Sequence, residues 1–346
     1  MEKKIVAILV ILFITVCNVK AQDSQTEFKP SGKVFGKIFV NYHYDFTEGS
    51  TKRNSFNLQR TYLGYKYNYS KKISVKITFD GARFSEASSY TVFLKHAQLD
   101  WKVDNNVNLS FGLIGTKQFN DQEKFWGYRY LFKSFQDEFK LGSSADLGVN
   151  AQIAITKNLN VNLFVMNGEG YTSVQDMNGR IKAGGNIIYK PTKDVLLKGY
   201  FDTYGGDYTK ENEIVTDTTS VKTAAFFAGY NGEKFRIGAE YEIQKDGKKF
   251  NEQAKDHDLT GFSIYGTYII NNRFEIFVNY LNFQSNKVNG AEQSWNHGKD
   301  GSIVLGGIQY EPIKSIKMAL NYRTFCYDES SKPDGNFVYL NMEFKF

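Results

Sequence analysis

The chain has 346 residues, a formal charge of +6 at neutral pH and a mean hydropathy of −0.44. Beyond its N-terminal segment no stretch sustains the roughly 17 to 25 apolar residues that a membrane-spanning helix needs, which excludes a helical membrane protein. The mild basic excess indicates no particular partner and gives no reason to expect nucleic acid. Aromatic residues make up 16% of the chain, and this richness at moderate polarity fits a transmembrane β-barrel, in which only one of the two faces must be apolar.

The first 21 residues have the layout of a cleaved secretory signal. Two lysines precede an apolar run from Ile5 to Cys17, and small residues occupy the −3 and −1 positions of a cleavage site in Val19-Lys20-Ala21. A membrane anchor is the alternative, but the run is shorter than a bilayer requires. We therefore expect a signal peptide over 1–21 and an exported barrel over 22–346.

Alternation with period two is the main structural signal in the rest of the chain. Residues 235–244 read Phe-Arg-Ile-Gly-Ala-Glu-Tyr-Glu-Ile-Gln, and 73–80 and 316–323 repeat this pattern. Successive side chains of a strand point to opposite faces, so one face suits lipid and the other water. The pattern predicts an all-β antiparallel barrel of about 16 strands, an even number. These strands are expected near 33–46, 56–69, 73–82, 91–103, 107–115, 145–156, 159–168, 180–190, 195–204, 221–231, 235–245, 260–270, 273–283, 301–310, 316–325 and 336–346.

The predicted connections alternate between short and long. Short ones such as 70–72, 104–106 and 271–272 are rich in turn-forming residues, and polar segments of ten or more residues such as 205–220 and 284–300 lie between them. Short turns on one rim and long loops on the other are typical of outer-membrane barrels, with both chain ends on the periplasmic side.

The last nine residues, 338–346, alternate strictly and end in Phe346. A last strand that pairs with the first leaves no open sheet edge. A terminal Phe on such a strand resembles the C-terminal signal of outer-membrane barrels. It therefore predicts the barrel assembly machinery and outer-membrane lipid as partners.

The longest connection, 116–144, is too long for a simple link between two strands. Within it, aromatic residues recur at helical spacing, which predicts a short amphipathic helix. These residues are Phe125, Tyr128, Phe132, Phe135 and Phe139. We expect this loop to fold into the barrel, with its aromatic face against the wall, and to constrict a lumen too wide for strand side chains to fill. A helix lying on the membrane, or an outer lid, is the alternative.

The strand faces assign a set of charged side chains to the lumen, where rings of one sign select ions and mixed rings do so weakly. The predicted pore-lining and constriction residues are Arg60, Lys66, Lys76, Lys102, Arg129, Lys133, Lys140, Lys198, Arg236 and Arg323. Lys182, Lys317 and the acidic Asp80, Asp100, Asp202, Glu240, Glu242 and Glu275 are assigned to the same face. The basic excess at the loop predicts a slight anion preference. The alternative is that each charge is merely kept away from lipid.

Residues 56–66 (Phe-Asn-Leu-Gln-Arg-Thr-Tyr-Leu-Gly-Tyr-Lys), the strand 73–80 and Asp146-Leu-Gly-Val149 resemble the phosphate-selective porin O and P family, in particular its relatives in Bacteroidetes-type bacteria. The resemblance covers most of the chain as architecture. It implies a 16-stranded, often trimeric channel for anions with a constricting third loop. It also implies that Arg60 and the basic loop residues line the anion path.

Two other functions are compatible with a barrel. A barrel hydrolase would need a nucleophile, a base and an orienting group together, yet the chain has only four histidines and none of the G-x-S-x-G, H-E-x-x-H or Cys/His metal motifs. We expect no enzyme activity, no catalytic or metal-binding residues and no cofactor. A non-conducting adhesin or structural barrel would use the loops 246–259 and 284–300 as binding surfaces.

Overall fold

The computed structural model describes residues 28–51, 54–83, 89–175, 179–206, 208–210, 213–215, 219–249 and 252–346. The predicted signal peptide, residues 1–21, lies outside these ranges. Throughout the described part, the alternating segments form strands because β-branched and aromatic side chains pack well on a pleated surface that is buried on one face.

Sixteen antiparallel strands form one closed barrel, which confirms the predicted fold and strand number. Each strand pairs with the next barrel strand along the chain, and the last pairs with the first through partners such as Asn41 and Asn341. The barrel strands are β1 (Ser31–Asp45), β2 (Asn54–Asn68), β3 (Ile73–Ala82), β4 (Thr91–Lys102), β5 (Val107–Gly115), β6 (Ala145–Ala154), β7 (Leu159–Met166), β8 (Ile181–Tyr189), β9 (Val195–Gly205), β12 (Val221–Asn231), β13 (Phe235–Lys245), β16 (Leu259–Ile269), β17 (Phe274–Ser285), β18 (Gly301–Ile313), β19 (Ile316–Tyr327) and β20 (Gly335–Lys345).

Two small hairpins extend the longer loops. The first contains β10 (Tyr208–Lys210) and β11 (Glu213–Val215), and the second contains β14 (Gly247–Lys249) and β15 (Glu252–Gln253). Two short helices, α1 (Asn120–Trp126) and α2 (Phe135–Glu138), lie in the connection between β5 and β6. We call the rim with the long connections the loop rim and the opposite one the turn rim.

Most of the short connections of the turn rim have the same hydrogen-bond pattern. In five of them a side-chain oxygen accepts hydrogen bonds from the backbone N–H groups two and three residues later, as Asp104 does from Asn106 at 2.7 Å and Val107 at 2.8 Å. The other four oxygens belong to Ser70, Thr156, Thr192 and Asn271. Such bonds imitate a backbone turn, so each turn is specified by its own residues. The two N–H donors lower the pKa of the exposed Asp104 carboxyl.

The barrel has an apolar exterior and a polar, charged interior. Large hydrophobic side chains such as Phe79, Phe226, Ile264 and Leu320 are exposed on the outer face. The buried polar residues include Asp80, Lys182, Lys198, Glu242 and Arg323, all of which face the lumen. This inversion relative to a water-soluble protein is what a lipid environment favours.

Candidate functional site

The loop 116–144 lies inside the barrel. At its start, the ammonium of Lys198 on β9 donates to the main-chain carbonyls of Lys117 and Gln118, both at 2.8 Å, and it lies 3.2 Å from Asp121. The side-chain amide of Asn186 on β8 also donates to the Lys117 carbonyl, at 3.1 Å. These contacts turn the chain inward at the point where it leaves β5.

The aromatic residues of the loop face the barrel wall, as their spacing predicts. Phe125 packs edge-on against Phe227, and Tyr128 packs against Phe277 with centroids 4.4 Å apart. Trp126, Tyr128 and Phe135 are at most 1% exposed. Because this packing covers the wall from β12 to β20, the loop fills that half of the lumen.

The predicted single helix over 125–139 is wrong. The first helix ends at Gly127, which adopts the left-handed conformation (φ 78°) and whose N–H donates to the Glu123 carbonyl. A turn separates it from α2, which begins at Phe135. Glycine at this position ends a helix at little conformational cost, so the aromatic residues share a face of the loop without sharing one helix.

The tip of the loop reaches the turn half of the barrel. The hydroxyl of Tyr128 donates to Glu275 on β17 at 2.6 Å, and that of Tyr130 donates to Gln309 on β18 at 2.9 Å. Both partners lie near the turn ends of their strands. The loop therefore extends well below the loop rim.

On the other side of the loop, next to β1–β4, a cavity of about 560 Å³ remains open. The charged residues that line it from the wall are lysines, whereas those from the loop include both acidic and basic residues. These residues are Lys33, Lys37, Lys76, Lys95, Glu123, Arg129, Asp137 and Lys345. A lumen that is packed on one side and open on the other has the geometry of a narrowed channel.

Charged groups of the wall and of the loop meet at this cavity. On the wall, Asp80 lies 3.0 Å from Arg60 and 3.7 Å from Lys95. On the loop, Arg129 lies 3.1 Å from Glu123 and 3.0 Å from Asp137. Asp80 of the wall and Glu123 and Asp137 of the loop therefore each have a basic side chain within 4 Å.

The loop groups titrate away from their ordinary ranges. Burial raises the pKa of Glu123, although Arg129 partly opposes this. Burial also acts to raise the pKa of Asp137, but Arg129 and Lys133 outweigh it and hold that pKa below its usual value. Burial opposes the charged form of Arg129, yet Asp137, Tyr62 and Glu123 raise its pKa. Asp137 and Arg129 therefore stay charged over a wide pH range, and of the two carboxyl groups paired with Arg129 it is Glu123 that protonates first as the pH falls.

A row of lysines follows the wall below the ion pairs. Lys33 on β1 lies directly opposite Lys66 on β2, which lies directly opposite Lys76 on β3. Lys37 lies in the same way opposite Lys345 on β20. Like charges in such cross-strand pairs destabilise a sheet unless water or counterions screen them.

Of the predicted pore residues, Lys76 and Arg129 line the open cavity itself, and four others lie on the elements next to it. Arg60, Lys66, Lys76 and Lys102 lie on the adjoining strands β2–β4, and Arg129 and Lys133 lie on the facing loop. Lys198 is on the opposite wall, buried beneath the loop that it holds. Arg236 lies 3.4 Å from Glu275, beneath Tyr128.

Two more predicted residues lie away from the cavity. Arg323 donates to Asn321 at 2.8 Å and stacks on Tyr339, with its guanidinium 3.8 Å from the ring centroid. Lys140 follows α2 and lines a second pocket near the loop rim.

Lys95 is the cavity residue that strict alternation missed. His96 faces the lumen, so alternation places Lys95 on the lipid side. A β-bulge changes this, because Thr78 pairs with His96 and Phe79 with Leu94, which leaves Lys95 as an extra residue that also faces inward. Its ammonium lies 5.0 Å from the Tyr62 ring centroid and 4.9 Å from that of Tyr171. A lysine on a supposed lipid face is the sequence signal that could have revealed the bulge.

No helix in the described ranges is both long and apolar enough to cross a membrane. Among the same residues, no group of three or more His, Cys, Asp or Glu side chains could hold a metal ion.

Solved structures with this architecture include porins and an outer membrane protein of Vibrio cholerae. A complex of Salmonella typhi OmpF with daunomycin superposes with a TM-score of 0.67 at 12% identity, covering 91% of this chain and 97% of that one. The chain has a porin fold. An anion-selective porin from Comamonas acidovorans gives a TM-score of 0.65 at 11% identity, covering 92% and 100% of the two chains. OmpT with loop L8 deleted, an outer membrane protein of Vibrio cholerae, gives a TM-score of 0.65 at 14% identity, covering 92% of this chain and 99% of that one. No family model and no curated protein matches the sequence.

Proposed function

We propose that this chain is an outer-membrane porin that lets small hydrophilic solutes diffuse passively, with a preference for anions. The observation that carries the proposal is the open cavity beside an internal loop, lined by Lys33, Lys37, Lys76 and Lys95. Its architecture is that of known porins, one of which is described as anion-selective.

The lysine row gives the physical reason for an anion preference. Lys33, Lys66 and Lys76 repel one another across neighbouring strands, and an anion passing along the row relieves that repulsion. The loop carboxylates Glu123 and Asp137 are balanced by Arg129 and by Lys133, which lies 3.7 Å from Asp137, so they do not cancel this field. The preference is expected to be modest, because Asp80 adds a buried negative charge within the same wall.

The likeness to phosphate-selective porins rests on residues 56–66, 73–80 and 146–149, and it implies that Arg60 and the basic loop residues line the anion path. Arg60 is bound to Asp80 at 3.0 Å, and for this reason we propose general anion passage rather than a dedicated phosphate site. Trimer formation, delivery by a signal peptide and assembly through the C-terminal strand stay predictions.

Conductance in planar lipid bilayers tests the proposal. The purified mature chain is expected to form channels, with a reversal potential in a KCl gradient whose sign corresponds to chloride passage. Absence of channels over a range of salt and voltage would leave the non-conducting adhesin as the better interpretation. Cation-selective channels would retain the porin and overturn the anion preference.

A further inference from the structure

A second pocket of about 330 Å³ lies near the loop rim, on the face of α2 opposite the open cavity. We call it the mouth pocket. It is bounded by the end of α2, by the loop ends of β16–β19 and by the connection between β17 and β18. The residues that matter for its chemistry are Phe139, Lys140, Lys248, Phe283, Trp295, Lys299 and Tyr327.

The mouth pocket is blind. Its inner lining includes Leu259, Phe283 and Ile303, all of them buried. Beneath them Phe135 of α2 is fully buried and packs so closely that a Cβ at Gly261 would lie 2.2 Å from its ring. Because the loop is packed onto the wall here, a molecule in this pocket has no direct path through the barrel. The pocket is therefore suited to holding a molecule rather than passing it.

One side of the pocket is aromatic. Phe139 stacks on Phe283 with centroids 4.1 Å apart and an interplanar angle of 9°. Trp295 is fixed nearby by a hydrogen bond of 3.1 Å from its indole N–H to the Asp258 carbonyl. Tyr327 completes this side, and the ammonium of Lys332 lies 3.3 Å from its ring centroid. Aromatic surfaces of this kind bind flat apolar rings by stacking and edge-to-face contact.

The remaining lining is basic. None of Lys140, Lys248 and Lys299 forms an ion pair with a residue in the described ranges, unlike the nearby Lys245, which lies 2.5 Å from Asp258. Lys140 has a positive φ of 56°, which a non-glycine residue rarely adopts and which often accompanies a functional position. Among the described lining residues, the one carboxyl group belongs to Glu138, whose pKa is raised by burial. The pocket thus combines an apolar ring surface with three cations that form no ion pair with the residues that the structure describes.

We propose that the mouth pocket binds a small carboxylate that carries a ring, with the ring against Phe139, Phe283 and Trp295 and the carboxylate among the three lysines. An aryl acid and a uronic acid both have this chemistry. The excess of apolar lining favours the aryl acid, and benzoate and glucuronate serve as the two probes. The inference does not depend on ion conduction, because the pocket is not part of the open cavity.

Calorimetric titration of the full mature chain in detergent tests the proposal. Benzoate is expected to bind at one site per chain. Acetate, which lacks the ring, and benzyl alcohol, which lacks the charge, are each expected to bind at least about tenfold more weakly. Stronger binding of glucuronate than of benzoate would assign the site to acidic sugars. Failure of both ring carboxylates to bind would overturn the proposal.

Variants assign the binding to this pocket. The triple substitution K140Q/K248Q/K299Q is expected to weaken benzoate binding at least about tenfold. K314Q, at an exposed lysine on the turn rim, is the matched control and should leave binding unchanged. Benzoate should also change the tryptophan fluorescence of the wild type, and W295F should remove that change. Equal affinity in the triple variant and the wild type would place the binding elsewhere and refute the assignment.

The same preparations keep this inference separate from the porin proposal. The triple variant is expected to retain the single-channel conductance of the wild type, since its lysines lie outside the open cavity. Benzoate binding by a protein that forms no channels would support the mouth pocket and reject the porin. Channel formation without benzoate binding would support the porin and reject the mouth pocket as a binding site.

Discussion

The ammonium of Lys198 donates to the main-chain carbonyl of Gln118 at 2.8 Å, which ties the start of the internal loop to the barrel wall. The same ammonium also contacts the Lys117 carbonyl and the Asp121 carboxylate. One side chain from β9 therefore binds three residues at the start of the loop. The loop's position thus depends on a buried cation as well as on aromatic packing.

Replacing Lys198 by Met should loosen this attachment. The carbonyls of Lys117 and Gln118 lose their donor, and Asp121 loses its partner, at a cost of about 3 to 5 kcal/mol for breaking a buried ionic contact. We expect a lower midpoint in urea unfolding and noisier single-channel currents. K222Q, at an exposed lysine near the loop end of β12, is the control. Unchanged stability and current noise would show that the aromatic face alone holds the loop.

Removal of residues 125–139 should enlarge the channel. The deleted part contains the residues that pack on β12–β20, and its loss frees the half of the lumen that they fill. Single-channel conductance is the measurement, and a clear increase is expected. Folding of the deletion variant is judged by a heat-modifiable band on electrophoresis. If the folded variant conducts like the wild type, the constriction hypothesis is wrong.

The substitution K95Q should reduce the anion preference. Lys95 lies at the meeting point of wall and loop, 3.7 Å from Asp80, and its loss exposes that carboxylate to passing ions. Reversal potentials in a salt gradient should shift toward cation passage. The matched variant K314Q, on an exposed turn, should not shift them. An equal effect of the two substitutions would mean that Lys95 does not face the ion path.

Lower pH should strengthen the anion preference through Glu123. Because burial raises the pKa of this carboxyl, it is protonated at a higher pH than an ordinary glutamate, while Asp137 stays charged. As the pH falls from neutral toward the range in which ordinary glutamates titrate, the loop loses the Glu123 charge first and anion passage increases. Reversal potentials across this range should move less in E123Q than in the wild type. The same pH response in both proteins would assign the titration to another group.

Alanine at Gly127 should disturb both the loop and Arg236. The left-handed backbone strains any other residue by about 1 kcal/mol, and an added Cβ would lie 2.7 Å from the Arg236 guanidinium. Gly290 is a matched control, since it has a similar positive φ of 84° and no atom within 4 Å of its added Cβ. Urea unfolding should show a larger decrease in the free energy of unfolding for G127A than for G290A. Equal losses would show that Arg236 moves aside freely.

The strands could be predicted from the sequence because the two-residue period depends only on neighbours along the chain. That period failed at Lys95, where a bulge inserts one extra residue and only the pairing of β3 with β4 reveals it. Helical spacing of the aromatic residues located the loop face correctly, but Gly127 divides the helix. The mouth pocket could not be predicted, since Phe139, Phe283 and Trp295 meet only after the barrel has closed.

The side-chain oxygens at Ser70, Asp104, Thr156, Thr192 and Asn271 have a consequence for assembly. Each fixes a hairpin with residues that lie within the hairpin itself, so most of the strand order is encoded locally and needs no distant partner. The exception is the seam between β1 and β20, where Asn41 meets Asn341. Folding of this barrel is therefore a series of short-range steps followed by one long-range closure. Mutations at the seam should slow assembly out of proportion to their effect on the finished barrel.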